Sequence, residues 1–173
     1  MTSISNNRIM AAEDKDCKIR RSKISDKQQR RTDIVLSLRP SCVQLILAAA
    51  KTVELRRRFV TRLYYGEMNA FLYASSPTKA LVGMVPILAI EEIALDDIWT
   101  KYAAAACVTP SEFNQYFEGK NTGVAIKMGG IRPLAKPMGL TELRDRFDFV
   151  PPQSFSYVKA NLRDAVLKRL NLI

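Results

Sequence analysis

Short apolar runs of strand length, each stopped by proline or glycine, limit what this 173-residue chain can become. Residues 34–38 form one run, ended by Arg39-Pro40. A second, 68–74, is broken by Ser75-Ser76-Pro77-Thr78, and a third, 124–128, lies between Gly123 and Gly129-Gly130. Proline stops a strand because it lacks a ladder donor, and glycine because it weakens an extended backbone. The longest run, 79–93, holds Pro86 in its interior, which predicts a bent or edge strand rather than a central one. Brief helical patterns intervene over 41–50, 95–106, 110–117 and from Thr141. A last one, 160–173, places Leu162, Val166, Leu170 and Ile173 on one face, opposite Arg163, Lys168 and Arg169, and is expected to pack on the barrel. Thr109-Pro110-Ser111-Glu112 reads as a helix entry with a capping box. No long βαβ series occurs, so the expected class is α+β: a mixed, mostly β barrel with peripheral helices over 34–158.

Between the first helix and the second long strand lies a charged stretch, residues 49–58, Ala-Ala-Lys-Thr-Val-Glu-Leu-Arg-Arg-Arg. Read as a strand from Lys51, alternation puts Lys51, Val53, Leu55 and Arg57 on one face. Thr52, Glu54, Arg56 and Arg58 then share the other. A strand that exchanges apolar alternation for a carboxylate among cations lies on a solvated edge or lines a polar cleft. In the cleft, the carboxylate orients the cations toward an anionic ligand. Glu54 and Arg56 can equally form a structural ion pair.

Charge points the same way. With 27 Lys/Arg against 17 Asp/Glu, a net +10, the chain favours a polyanionic partner through counterion release and long-range steering. The sequence has no histidine, which excludes Ser-His-Asp, Cys-His and His-metal chemistry within the chain. Cys17, Cys42 and Cys107 are far apart and form no C-x-x-C pair, so neither a zinc site nor a disulfide framework is indicated, and no metal or cofactor is expected. No apolar stretch suits a membrane span or secretory signal; a reducing, cytoplasmic compartment is the expectation, with no membrane partner. Residues 1–33 carry nine Lys/Arg against five Asp/Glu and few apolar side chains, and read as a basic, poorly ordered arm before a domain over 34–173.

The stretch Ala49-x-Lys51-x-x-Glu54-x-Arg56 resembles the G-x-K-x-x-E-x-R pattern of the ASCH domain family, a small β-barrel related to the PUA RNA-binding fold, with alanine at the glycine position. The opening 34–40, the segments 72–77 and 79–83, Tyr116-Phe117-Glu118-Gly119, 123–127 and Pro151-Pro152-Gln153-Ser154-Phe155 extend the likeness over about residues 34 to 158, toward a branch described as predicted transcriptional regulators.

The resemblance implies a PUA-like barrel and a basic cleft at its mouth. Lys51, Glu54, Arg56 and Arg58 would line it, joined by Tyr73, Ser75, Ser76, Lys79, Gln153 and Ser154. Lysine suits phosphate as a point charge, an aromatic can stack on a base, and an amide or hydroxyl can read a base edge. Phe155 is better suited to plug the barrel. The leading expectation is an RNA- or nucleotide-binding module, regulatory in use, with single-stranded DNA as the other nucleic-acid partner. The alternatives are a hydrolase acting on nucleic acid, either a ribonuclease or a modified-nucleoside amidohydrolase, with Lys51, Glu54 and Tyr73 as its catalytic groups, and a protein-interaction adaptor. The amidohydrolase match is imperfect, because that branch has threonine where this chain has Glu54, and a carboxylate replaces a hydroxyl donor only if its pKa is raised. Oligomeric state is not legible in the sequence.

Overall fold

A computed structural model gives the structure and describes residues 33–60 and 68–173. The basic arm, apart from Asp33, lies outside the described residues, as do Arg62 and the turn expected at Tyr64-Tyr65-Gly66-Glu67. In chain order the described elements are β1 (Ile34–Leu38), α1 (Pro40–Leu47), β2 (Val53–Arg56), β3 (Met68–Ala74), β4 (Ala80–Ala94), α2 (Leu95–Ala106), α3 (Pro110–Tyr116), β5 (Thr122–Met128), β6 (Arg132–Gly139), α4 (Leu140–Phe147), β7 (Phe155–Tyr157) and α5 (Ala160–Arg169). The helix expected over 95–106 falls where the pattern put it. α3 has both reciprocal bonds of the Thr109–Glu112 capping box.

The strands form one sheet in the order β2-β5-β4-β3-β1-β7, with β6 also on β4. β1 runs parallel to β3, Ile34 opposite Ala70 and Leu38 opposite Ala74, and the other pairings are antiparallel. β4 is therefore the hub of the sheet, a central strand where Pro86 had suggested a bent or edge one. Its first half pairs β3 on one side and β6 on the other; beyond Pro86 the second side passes to β5. The Pro86 carbonyl accepts from the Gly129 amide at 2.8 Å. A strand residue points its N and O to the same edge, so the missing donor faces the gap where β6 gives way to β5, and the ladder tolerates it.

Alternation sorts the core into three layers. Ile34, Leu36, Leu38, Ala70, Leu72 and Ala74 point inward with Val124 and Ile126, capped by Val43 and Ile46 of α1. Val35, Phe71, Tyr73, Leu81 and Met84 point outward, under Leu143 and Phe147 of α4 and Leu162, Val166 and Leu167 of α5. Val53, Leu55 and Ala125 pack beneath Ile98, Ala106, Phe113 and Phe117. Each fully buried aliphatic or aromatic side chain contributes about 1.5–3 kcal/mol. Leu170 joins the α5 contact as its periodicity predicted, but Ile173 is exposed: the helix stops at Arg169 and Asn171 turns into left-handed backbone, carrying the last residues off the stripe.

Asp33, fully buried, fixes the outer layer to the sheet. Its carboxylate accepts from the Asn69 amide at 2.8 Å and from Arg163 Nε at 2.7 Å, tying β1, β3 and α5 together. The sheet's two edges approach each other: the Phe59 and Phe155 rings lie 4.6 Å apart, and Arg56 reaches from β2 to the Ser37 carbonyl of β1. The curled sheet is thus a barrel whose seam is crossed by side chains rather than by a ladder. Among the described residues no helix is long and apolar enough to cross a membrane.

Candidate functional site

Two helix ends build the mouth of this barrel. α1 closes in a Schellman turn, in which the Ala49 amide donates to the Ile46 carbonyl and the Ala50 amide to the Leu45 carbonyl, each at 2.9 Å, with Ala49 at φ 56°. That left-handed backbone favours glycine, the residue the ASCH-like pattern has at this position. α2 closes the same way: Cys107 has φ 52°, its amide donates to Ala104 at 3.1 Å, and the Val108 amide donates to Ala103 at 3.4 Å. The last two carbonyls of α2 are then taken by the loop leaving α1. The Thr52 amide bonds Ala105 at 2.9 Å, and Lys51 Nζ bonds Ala106 at 2.8 Å. A cation at a helix C-terminus is favoured by the aligned peptide dipoles as well.

This turn corrects the face expected for Lys51. β2 begins only at Val53, so Lys51 is not bound by strand alternation, and it folds over to the Glu54 side. Lys51 Nζ lies 3.3 Å from Glu54 Oε2, and Arg56 Nε lies 3.1 Å from Glu54 Oε1. Lys51 is 5% exposed and Glu54 8%. The Arg56 Nε contact has ion-pair distance but not hydrogen-bond alignment, and the atom is otherwise sealed from solvent. Glu54 and Arg56 do share a face, as alternation required. The guanidinium then crosses the seam, with Nη2 donating to the Ser37 carbonyl at 2.8 Å and Nη1 to Ser154 Oγ at 3.3 Å. The Ser37 amide returns a bond to the Ser154 carbonyl at 2.9 Å. Guanidinium carries more N–H groups than these contacts use, and the Ser154 hydroxyl keeps its own proton to donate. A preorganised pair of donors suits an anionic oxygen.

Of the other expected residues, Ser75 stands beside this cluster, its amide donating to Leu38 at 2.9 Å, while its carbonyl accepts from Lys79 to close a turn. Ser76 and Lys79 are exposed on that turn, Gln153 is exposed next to Ser154, and Arg58 is exposed just past β2. Arg57 turns away to the Glu118 carbonyl at 2.9 Å. Tyr73 is not at the mouth. It is 2% exposed on the outward face of β3, its ring 5.3 Å from Phe149; burial pushes its phenol above the usual range, with Arg144 pulling the other way. The reason is that β1 and β3 are buried on both faces, and Tyr73 takes the face opposite Leu72. Phe155 plugs the barrel interior as expected. Two residues went unread as part of the mouth: Ser37, whose carbonyl and amide pin the seam, and Cys42. The Cys42 thiol is half-buried against the interior; burial pushes it up, Glu54 adds to that, and Lys51 and Arg39 oppose it. Its place two residues after Pro40, in the first turn of α1, was the only sequence signal for it.

The family described as "Domain of unknown function (DUF365)" matches residues 31–144. A curated relative from Zymomonas mobilis, named ASCH domain-containing ribonuclease, is 29% identical over 130 residues, covering 75% of this chain and 86% of that protein. The crystal structure of ASCH from Zymomonas mobilis superposes with TM-score 0.73 at 27% identity, over 80% of this chain and 95% of that one. The human THYN1 protein in complex with 5-methylcytosine containing DNA shares the fold at TM-score 0.51 and 14% identity, over 80% of this chain and 97% of that one.

Proposed function

Because the chain belongs to the DUF365 family and folds as an ASCH domain of the PUA-like α+β type, we propose that it binds RNA or a nucleotide at the barrel mouth, gripping phosphate with Arg56 and Ser154 over the Lys51–Glu54 pair. The observation that carries this is the Glu54 carboxylate held between two cations, with Arg56 still offering N–H groups beside a serine hydroxyl. A buried carboxylate fixes the guanidinium, and a fixed fork of donors matches phosphate. In this reading Lys51 shapes the mouth and adds positive potential, Ser75, Ser76, Lys79, Gln153 and Arg58 form its rim, the use is regulatory, and a reducing, cytoplasmic setting suits the free Cys42 and Cys107 thiols.

RNA cleavage is the second reading, favoured by the ribonuclease name of the Zymomonas relative. One experiment separates them: labelled single-stranded RNA and DNA are incubated with the protein across a salt series, and both retention and integrity are measured. Arg56→Ala should weaken RNA binding by about 1–3 kcal/mol, the range for hydrogen bonds to charged groups, with the fold intact by circular dichroism. Binding of intact RNA supports the module. Cleavage that disappears in Lys51→Ala while that variant still binds RNA and unfolds at the parent's temperature supports the enzyme. Arg56→Ala and Ser154→Ala variants that both bind like the parent would show that the mouth is not the site.

A further inference from the structure

The basic excess is unevenly placed. Residues 132–173 hold eight Lys/Arg against four Asp/Glu, while 33–131 are nearly balanced, with ten against nine. The charged residues of the mouth, Lys51, Glu54 and Arg56, therefore lie in the balanced part of the domain, and the surplus lies on β6 and α5, with α4 between them neutral. These elements are locked together there. Glu142 Oε1 accepts from Arg146 Nη1 at 2.6 Å and also pairs with Arg169 Nη2, and Arg169 Nη1 reaches the Lys136 carbonyl at 3.5 Å. One carboxylate thus orients two guanidiniums from two helices, beside a strand lysine. Among the described residues, Lys136, Lys168, Arg132 and Arg144 form no ion pair, and all four are exposed. The exposed β6 positions flanking the cations are Pro133, Ala135 and Pro137, none with a long apolar side chain, while the exposed Leu172 and Ile173 lie beyond the end of α5.

We infer that the β6–α4–α5 face, centred on Lys136, Arg146, Lys168 and Arg169, is a second polyanion-binding surface that tracks the phosphate backbone of RNA extending beyond whatever the mouth holds. The inference rests on the nucleic-acid reading of the mouth and adds to it. α4 and α5 pack on the outward face of the sheet, whereas Glu54 and Arg56 point to the inward one, so a short oligonucleotide engages the mouth alone and only a longer strand reaches both. Exposed cations arranged for phosphate confer affinity without base preference, through counterion release.

The test compares a trinucleotide with a single-stranded RNA of about 30 nucleotides, using the full chain, Lys136→Ala/Arg146→Ala/Lys168→Ala, and Arg56→Ala. The triple variant should bind the long RNA about tenfold more weakly at low salt, with its salt slope reduced by about 2, near 0.7 for each lost single-strand phosphate contact. It should bind the trinucleotide like the parent. Arg56→Ala should weaken both ligands. If the triple variant is unstable, Lys136→Ala/Lys168→Ala, which touches no ion pair, should show a smaller change in the same direction. Unchanged affinity and slope for the long RNA, or equal loss for both lengths, overturns the second surface while leaving the mouth standing. A parent that retains anionic phosphatidylserine vesicles and not the long RNA overturns it in favour of a lipid surface, and a parent that binds no RNA of either length overturns both readings.

Discussion

At the barrel mouth Glu54 sits between Lys51 and Arg56; on the β6–α4–α5 face Glu142 sits between Arg146 and Arg169. The charge pattern is the same, one carboxylate serving two cations, and the surroundings differ. Side-chain exposure is 4%, 10% and 13% for Lys51, Glu54 and Arg56, against 55%, 28% and 30% for Arg146, Glu142 and Arg169. Water screens the outer trio, so its members hold one another weakly and stay available to a partner. The inner trio is shielded, each charge depends on its neighbours, and the geometry is fixed before any ligand arrives. Burial, not charge count, decides which cluster is architecture and which is surface.

The largest effect that can break this comparison comes from removing each central carboxylate. Glu54→Ala leaves the Lys51 ammonium and the sealed Arg56 Nε without their counter-ion and should cost about 3–5 kcal/mol in urea unfolding. Glu142→Ala should cost less than about 1 kcal/mol. Equal losses would show that the two trios are energetically alike and that the distinction drawn from exposure is wrong.

A smaller change sharpens the inner half. Lys51 reaches Glu54 because α1 ends on Ala49 in left-handed backbone, which an L side chain tolerates poorly. Ala49→Gly should raise stability by about 0.5–1 kcal/mol, the relief of that strain less the added freedom of the unfolded chain, read as a shifted midpoint of chemical denaturation. Destabilisation would mean the Ala49 methyl makes a contact worth more than the strain.

The smallest expected effect is local to Cys42. Burial first, and Glu54 second, hold its thiol above the ordinary range. The folded protein keeps that proton more tightly than the unfolded chain does, so the contribution to stability is full below the ordinary thiol pKa and disappears as pH rises through the raised one. Glu54→Gln should move the iodoacetamide alkylation profile of Cys42 to lower pH, while Glu142→Gln leaves it in place. An unmoved profile in Glu54→Gln would remove Glu54 as a cause.

What the sequence disclosed follows the range of the forces involved. The Thr109–Glu112 capping box and the 95–106 helix are local, and they formed where the pattern put them. Glu54 and Arg56 share a face because only one residue separates them within a strand. Lys51 escaped the same rule because the strand starts two residues later, after a turn whose alanine disguises a glycine position. Tyr73 was illegible for another reason: every residue from Ala70 to Ala74 is buried, so alternation marks no face as inner or outer. Pro86 was read through its missing donor, but whether that matters depends on which strands flank β4, which is a tertiary fact.

The seam crossed by Arg56 has a consequence for how copies of this protein behave together. An edge strand offers unpaired backbone to any passing strand, the commonest route to edge-to-edge aggregation. Here β2 is four residues long, continues into exposed Arg57 and Arg58, and turns its open side toward a bridging guanidinium; β7 at the opposite edge has three residues. Neither of these two edges gives a foreign strand enough length to dock, and one of them repels it by charge; β6, which pairs with β4 alone, is longer but carries Pro133, Lys136 and Pro137, which blunt an edge by other means. The arginines at this edge thus guard it against pairing between copies, and neutralising Arg57 and Arg58 should lower the concentration at which the protein stays monodisperse in light scattering.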